Sequence, residues 1–150
     1  MLGYLSLEGG RADVNGLRPG MANMHDGTTY EVHHLEQTRI PGPEWDPDHS
    51  SREADRQIAG GRMDGFAESY AATLARRHVK SPDAGLVMGY FNAEDLPIYD
   101  HFAAEFCVCD AWHSSVPGAT WPNPVPGVRL RRPGTREHPL RAIRVDATRE

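Results

Sequence analysis

Residues 86–123 constrain the fold more than any other stretch, because they hold the densest run of apolar and aromatic residues in the chain. The pattern predicts a strand over 86–90, a turn, a helix that begins at Pro97, and a second strand over 106–111. Alternating strands and helices predict an α/β sheet. The stretch ends in a Gly- and Pro-rich bend that carries three hydroxyl side chains, Ser114, Ser115 and Thr120.

The segment before this stretch predicts two helices separated by glycines. The first covers residues 51–59, is entered through the Asp- and Pro-rich residues 46–50, and ends at Gly60-Gly61, since glycine commonly follows a helix C-terminus. The second covers roughly residues 66–76, where apolar side chains recur on one helical face. The two helices add to the expected α/β architecture.

The first 48 residues show little periodicity. Closely spaced Gly and Pro pairs predict turns, so we expect irregular loops there, with one strand over residues 29–35. The opening residues lack the basic and apolar regions of a signal peptide, and no apolar run approaches the roughly 20 residues that span a bilayer. The sequence therefore predicts no membrane span, and a cytoplasmic location is the default expectation.

A length of 150 residues predicts about one domain. The basic residues are unevenly placed, because seven of the sixteen lie in residues 124–150 and all seven are Arg. This Arg-, Pro- and Gly-rich segment has no periodicity, which predicts disorder. Cys107 and Cys109 would share one face of the second strand about 7 Å apart, a poor distance for a disulfide, so we expect two reduced core residues.

Two blocks of motifs resemble one enzyme family. The first block comprises Met88-Gly89-Tyr90, Glu94-Asp95-Leu96-Pro97, Phe106-Cys107-Val108-Cys109-Asp110 and residues 115–123, in matching order and spacing. The second block lies upstream and comprises His49-Ser50 and residues 60–66. Together they resemble the phosphoesterase family that includes bacterial phospholipases C and a group of acid phosphatases, within the alkaline-phosphatase-like superfamily.

The resemblance implies a fold. Members have an α/β/α sandwich of the alkaline-phosphatase type, and this chain is expected to be an incomplete piece of one, truncated at both ends. Residues 1–123 would form a partial phosphoesterase domain with irregular N-terminal loops. Residues 124–150 would form a disordered Arg/Pro-rich tail, because the family pattern stops at Pro124.

The resemblance also implies phosphoester hydrolysis through a metal-assisted Thr nucleophile. The nucleophile position falls on Thr120, whose oxygen would also ligate a divalent metal ion, with the other ligands expected outside this chain. His49 matches a histidine that donates to the phosphoryl oxygens and Asn123 matches the family's asparagine, so both are expected to bind substrate. From the residues alone, Thr120 could instead be a turn residue and His49 a solvated loop histidine. Ser114 and Ser115 rank lower as nucleophiles.

Other potential ligands are weaker. His33 and His34 would point to opposite faces of a strand, so they do not easily chelate one metal ion. The chain also lacks the Glu-Asn-Arg-Ser-Phe-Asp-His type of motif and the downstream acidic ligands of the family. Since a Thr hydroxyl without a metal ion or base is a weak nucleophile, we expect little or no activity from this chain alone.

Two further readings stay open. The chain could be a non-catalytic remnant that binds phosphate or a partner through an exposed sheet edge. It could also bind nucleic acid through its basic tail, which salt-dependent DNA binding lost on deletion of residues 124–150 would favour. A phosphoester substrate is the expected partner and nucleic acid the least favoured one.

Overall fold

The computed structural model describes residues 2–36, 41–114 and 117–118. These residues mix helices and strands, as the predicted α/β class requires, while the predicted tail at 124–150 lies outside them. The helices are α1 (Tyr4–Leu7), α2 (Ser51–Ile58), α3 (Phe66–Arg76) and α4 (Pro97–Glu105), and the strands are β1 (Ala22–His25), β2 (Thr28–Glu31), β3 (His33–His34) and β4 (Gly89–Tyr90). Short 3₁₀ helices cover Pro43–Trp45, Ala59–Gly61 and Ala84–Met88.

Strands β1 and β2 form an antiparallel hairpin joined by a two-residue turn. The turn residues Asp26 and Gly27 have φ values of 48° and 74°, and this pair of positive angles matches the twist of a tight hairpin. Strand β3 follows after a break at Val32 and pairs in parallel with β4. The single strand predicted over residues 29–35 is therefore two short strands with different partners.

Helix α2 begins at a side-chain cap and ends in a left-handed turn. The hydroxyl oxygen of Ser50 accepts a hydrogen bond from the backbone N–H of Glu53 at 3.4 Å. The helix ends at Ile58, one residue earlier than predicted, because Ala59 has a φ of 48° that breaks the helical path. At Gly65 the chain passes so close to the carbonyl oxygen of Arg56 that no Cβ would fit.

Helix α3 has the predicted bounds and the predicted buried face. Tyr70, Thr73 and Leu74 are 3%, 1% and 0% exposed. The helix has no capping side chain of its own, because Gly65 stands at its N-cap. Instead, Oδ1 of Asn23 on β1 accepts the N–H groups of Phe66 at 2.7 Å and Ala67 at 3.2 Å.

Helix α4 begins at Pro97, as predicted, but most of its large apolar side chains are exposed. Ala103 is buried in a cluster with Tyr4, Leu5 and Val14. The phenol of Tyr4 donates a hydrogen bond to Asp100 Oδ1 at 2.7 Å. The larger apolar side chains of the helix and its C-terminal end are exposed: Ile98, Tyr99, Phe102 and Phe106.

Two predicted strands and one core assignment were wrong. Residues 86–90 form most of the 3₁₀ helix Ala84–Met88 and then only the two residues of β4. Residues 106–111 form no strand, and Cys107 and Cys109 are free but exposed rather than in the core. A strand needs a hydrogen-bonded neighbour, and the described residues place none beside 106–111. Phe106 is left exposed, while Val108 is partly buried against the cluster of Tyr4, Leu5 and Val14.

Candidate active site

The loop that carries His49 connects the 3₁₀ helix Pro43–Trp45 to α2. Nε2 of His49 lies 3.3 Å from Oδ2 of Asp46, and the two side chains are 65% and 52% exposed. A carboxylate that holds one nitrogen of an imidazole orients the ring and leaves the other nitrogen to meet a ligand. His49 is thus placed at the surface, where a phosphate can reach it.

Asp48 fixes the chain immediately before and after His49. Its Oδ1 accepts a hydrogen bond from the backbone N–H of Ser50 at 2.8 Å. Its Oδ2 accepts a hydrogen bond from Nη2 of Arg76 at 2.8 Å. The hydrogen bond from Ser50, followed by the nearby Arg76 guanidinium, lowers the pKa of the Asp48 carboxyl below its ordinary value. Asp48 is therefore an ionised anchor between the loop and α3 at neutral pH.

The described part of the bend that carries the predicted nucleophile lies against the start of α2. A Cβ added to Gly118 would lie 2.5 Å from Oγ and 3.2 Å from Cα of Ser51. The φ of Gly118 is 139°, which also favours glycine. Gly118 is two residues before Thr120, and Ser51 is two residues after His49, so the two sequence motifs meet at one helix terminus.

The remaining predicted site residues are only partly placed. Thr120 and Asn123, together with the lower-ranked Ser115, lie outside the described residues. Ser114 is described and exposed. Of the predicted site residues Thr120, His49 and Asn123, the structure therefore describes His49, and it also describes Gly118, two residues before Thr120.

Histidines 33 and 34 have different hydrogen-bond partners. Nε2 of His34 lies 2.8 Å from Oδ2 of Asp95, and Nδ1 of His33 lies 3.1 Å from the carbonyl oxygen of Glu31. Asp95 also accepts the backbone N–H of Asn92 at 2.8 Å, and this bond, with that from His34, lowers the pKa of the carboxyl. Across residues 2–36, 41–114 and 117–118, no three His, Cys, Asp or Glu side chains are grouped so as to hold a metal ion.

Sequence reasoning missed a buried carboxylate beneath the loop. Glu53 is 3% exposed, and its Oε2 accepts a hydrogen bond from the hydroxyl of Ser69 at 2.8 Å. Its Oε1 lies 3.2 Å from Nη1 of Arg56. The sequence contains a signal for Glu53, because Ser50 and Glu53 have the spacing of a capping box. In that motif the Glu side chain turns back toward the helix start. Glu53 instead joins α2 to α3 under the site.

A surface hollow in the described residues lies elsewhere. A surface cavity of about 510 Å³ lies between β1, α2 and the start of α3. Its lining consists of Ala22, Met24, Arg56, Ala59, Arg62, Asp64, Gly65 and Glu68. His49, Ser51 and Gly118 are not among them, so the two motifs meet outside this cavity.

Comparisons with known proteins agree with the motifs. A model of the Phosphoesterase family matches residues 10–126. No helix in the described part of the chain is long and apolar enough to cross a membrane. No solved structure matches the chain.

Curated relatives include plant and bacterial proteins. The chain is 35% identical over 85 residues to non-specific phospholipase C5 of Arabidopsis thaliana, covering 57% of this chain and 14% of that protein. It is 38% identical over 88 residues to non-specific phospholipase C1 of the same plant, covering 52% and 15%. It is 33% identical over 78 residues to phospholipase C A of Mycobacterium tuberculosis, covering 52% and 14%. The chain thus spans about one-seventh of the length of these relatives.

Proposed function

The chain belongs to the phosphoesterase family, and from that premise we propose that it carries the nucleophile segment of a phosphoester hydrolase of the phospholipase C or acid phosphatase type. The matched region, residues 10–126, includes His49, Thr120 and Asn123. The phospholipase C names of the relatives support a phosphoester substrate. The alkaline-phosphatase-like superfamily is part of the same proposal.

One observation carries the proposal, namely the contact between Gly118 and Ser51. Thr120 follows Gly118 by two residues, so covalent geometry keeps the two Cα atoms within about 7 Å. His49 precedes Ser51 by two residues and is subject to the same limit. This supports a nucleophile and a hydrogen-bond donor, Thr120 and His49, that act on one phosphoryl group.

In the proposed reaction the deprotonated oxygen of Thr120 attacks phosphorus, and the bond from phosphorus to the ester oxygen breaks. The leaving oxygen takes a proton as the alcohol departs, and water then opens the phosphothreonine. His49 donates a hydrogen bond to a phosphoryl oxygen, and the side-chain amide of Asn123 donates a second. The N-terminus of α2 adds a positive helix dipole at the place where negative charge develops.

A divalent metal ion on the Thr120 oxygen is part of the proposal, since such an ion makes a hydroxyl easier to deprotonate. The described residues do not by themselves fit such an ion, because they contain no group of three suitable ligands. The other ligands are proposed to lie outside the described residues. The steps assigned to His49 and Asn123 do not depend on the identity of the ion.

We also infer that the 150-residue chain alone is a poor catalyst. The side chains of His49 and Asp46 are more than half exposed, and hydrogen bonds to a developing charge are weak where water competes. A non-catalytic phosphate-binding remnant is the second candidate, and the same exposure favours it.

Turnover of nitrophenyl phosphate with and without added divalent metal ions tests this proposal. We expect rates near background for the parent chain. High activity that Thr120→Ala abolishes and Ser114→Ala spares would confirm the nucleophile and overturn the inferred inactivity. High activity that survives Thr120→Ala would overturn the nucleophile.

Orthovanadate binding separates the two candidates. The hydrolase reading predicts binding that Thr120→Ala and His49→Ala each weaken by on the order of tenfold, since both side chains would contact the anion. Binding that depends on His49 alone would favour the non-catalytic remnant.

A further inference from the structure

The segment before α2 that runs from Pro43 to Asp48 is hydrogen-bonded to side chains of α3 and of Arg77, which follows α3. The phenol of Tyr70 donates to the carbonyl oxygen of Trp45 at 2.7 Å. Nη1 of Arg77 donates to the carbonyl oxygens of Glu44 at 3.2 Å and Pro43 at 3.4 Å, and also to that of Asp46. With the contact between Arg76 and Asp48, two side chains of α3 and that of Arg77, which follows the helix, hold the loop.

The α3 side of this attachment is rigid. Tyr70, Thr73 and Leu74 are almost fully buried, which fixes the helix in place. Nη2 of Arg76 also donates to Oγ1 of Thr73 at 3.0 Å, and its Nη1 lies 3.7 Å from Oε1 of the buried Glu53. The Arg76 guanidinium therefore contacts both α2 and α3. Through its hydrogen bond to Asp48 it fixes the position of that carboxylate.

His49 itself has no comparable anchor among the described contacts, where its ring meets the exposed Asp46. Its neighbours are better fixed, because Asp48 accepts hydrogen bonds from Arg76 and from the backbone N–H of Ser50. The location of the imidazole is then set by the backbone on both sides of it. Losing the attachment to α3 frees that backbone while leaving His49 intact.

Arg76 has an electrostatic role as well. Its side chain lies 2.8 Å from the Asp48 carboxylate and neutralises a negative charge on the residue next to His49. An unpaired carboxylate at that place would repel an incoming phosphate. The same side chain thus holds the loop and keeps the surroundings of His49 favourable for an anion.

We propose that Arg76 on α3 is a positioning residue for the phosphate-binding His49, acting through Asp48, with Arg77 and Tyr70 holding the earlier part of the same loop. The proposal rests on the proposed function, in which His49 donates to a phosphoryl oxygen. It adds a residue 27 positions away that touches neither substrate nor His49.

The test uses Arg76→Met in the full 150-residue chain, with Arg52→Met as a matched control. Arg52 is an exposed arginine in the first turn of α2, so both variants remove one positive charge near the same helix terminus. Inorganic phosphate is titrated while the NMR signals of the His49 ring are followed. We expect Arg76→Met to weaken phosphate binding on the order of tenfold, because a displaced binding group loses most of its contribution. Arg52→Met should weaken it less than about threefold, since its charge is screened by solvent.

Two controls exclude a merely structural effect. The thermal midpoint of Arg76→Met should stay within a few degrees of the parent, because partly exposed ion pairs contribute only about 0–1 kcal/mol. Arg76→Lys should restore part of the binding, since an ammonium can still pair with Asp48 but has no second nitrogen to reach Glu53. Equal weakening by Arg76→Met and Arg52→Met, or a large loss of thermal stability without loss of binding, would overturn the proposal.

A parent chain that does not bind phosphate would contradict the proposed role of His49. The hold of Arg76 on the loop is tested separately, by hydrogen exchange. The backbone N–H of Ser50 is bonded to Asp48, so its hydrogen exchange reports whether the loop is held. Faster exchange in Arg76→Met than in Arg52→Met would support positioning of the loop by Arg76. Equal exchange in the two variants would overturn it.

Discussion

Helices α3 and α4 have similar apolar repeats and very different surroundings. Five of the eleven residues of α3 are buried, whereas Ala103 alone is buried among the nine of α4. Helix α3 packs against α2, β1 and the 3₁₀ helix Ala84–Met88. The buried residues that α4 shares come from α1 and the loop after it. Periodicity therefore shows which face of a helix is apolar, while the neighbouring elements decide whether that face is covered.

Removing a buried side chain from α3 should cause the largest effect. Leu74→Ala deletes a fully buried side chain, and we expect a loss of about 3 kcal/mol in the free energy of unfolding. Urea unfolding followed by circular dichroism measures it. A loss below about 1 kcal/mol would mean that the interior around α3 is loosely packed and that the contrast between the helices is small.

The cap that β1 supplies to α3 should come next. Asn23→Ala leaves the N–H groups of Phe66 and Ala67 without their acceptor in a buried place, so we expect a loss of about 1.5 kcal/mol. Asn23→Asp keeps an acceptor of the same length and is the matched control in the same unfolding experiment. If both variants lose the same amount, the side-chain oxygen is not the cap.

The contact between α1 and α4 should show itself at alkaline pH. Burial, with the hydrogen bond to Asp100, raises the pKa of Tyr4 from 10.0 to about 12. Because the folded state holds the proton more tightly, this contribution is complete below pH 10 and is lost as pH rises through about 12. Tyr4→Phe should cost about 1 kcal/mol at neutral pH and weaken this alkaline decline.

Unfolding measured in steps from pH 8 to pH 12 checks that expectation. Tyr90→Phe serves as the control in the same measurement. The pKa of the Tyr90 phenol is also raised, by the hydrogen bond to Glu8, but its ring is only partly buried. An unchanged decline in Tyr4→Phe would mean that another group causes it.

The exposed face of α4 should give the smallest effect. Phe102 is 53% exposed and its ring meets that of Phe106 edge-on at 5.9 Å between centroids. Phe102→Ser should therefore change the free energy of unfolding by less than about 1 kcal/mol. A change as large as that of Leu74→Ala would show that this face is covered in solution.

Local signals predicted the helices well. The bounds of α3 follow from its apolar face, the start of α4 from Pro97, and the start of α2 from Ser50. The strands were predicted poorly, since residues 106–111 have a suitable composition but no paired neighbour in the part of the chain that the structure describes. Cys107 and Cys109 were misplaced for the same reason.

The candidate site divides in a similar way. The motifs singled out His49 and the bend after Ser114 as one functional unit, and both lie within residues 10–126, which the Phosphoesterase family model matches. Nothing in the order of residues indicated that Arg76 would bond to Asp48 or that Asn23 would cap α3. Such pairs are separated by tens of residues, and a pattern with a period of two or 3.6 carries no information about them.

The sequence by itself determined the family, the three longer helices and the residues that are candidates for phosphoester chemistry, because each depends on a local run of side chains. Only the tertiary structure decided that Gly118 lies against Ser51, that α3 holds the His49 loop, and that α4 leaves its aromatic side chains at the surface. Burial and long-range hydrogen bonds depend on which elements come together, and that depends on the whole chain rather than on any one segment of it.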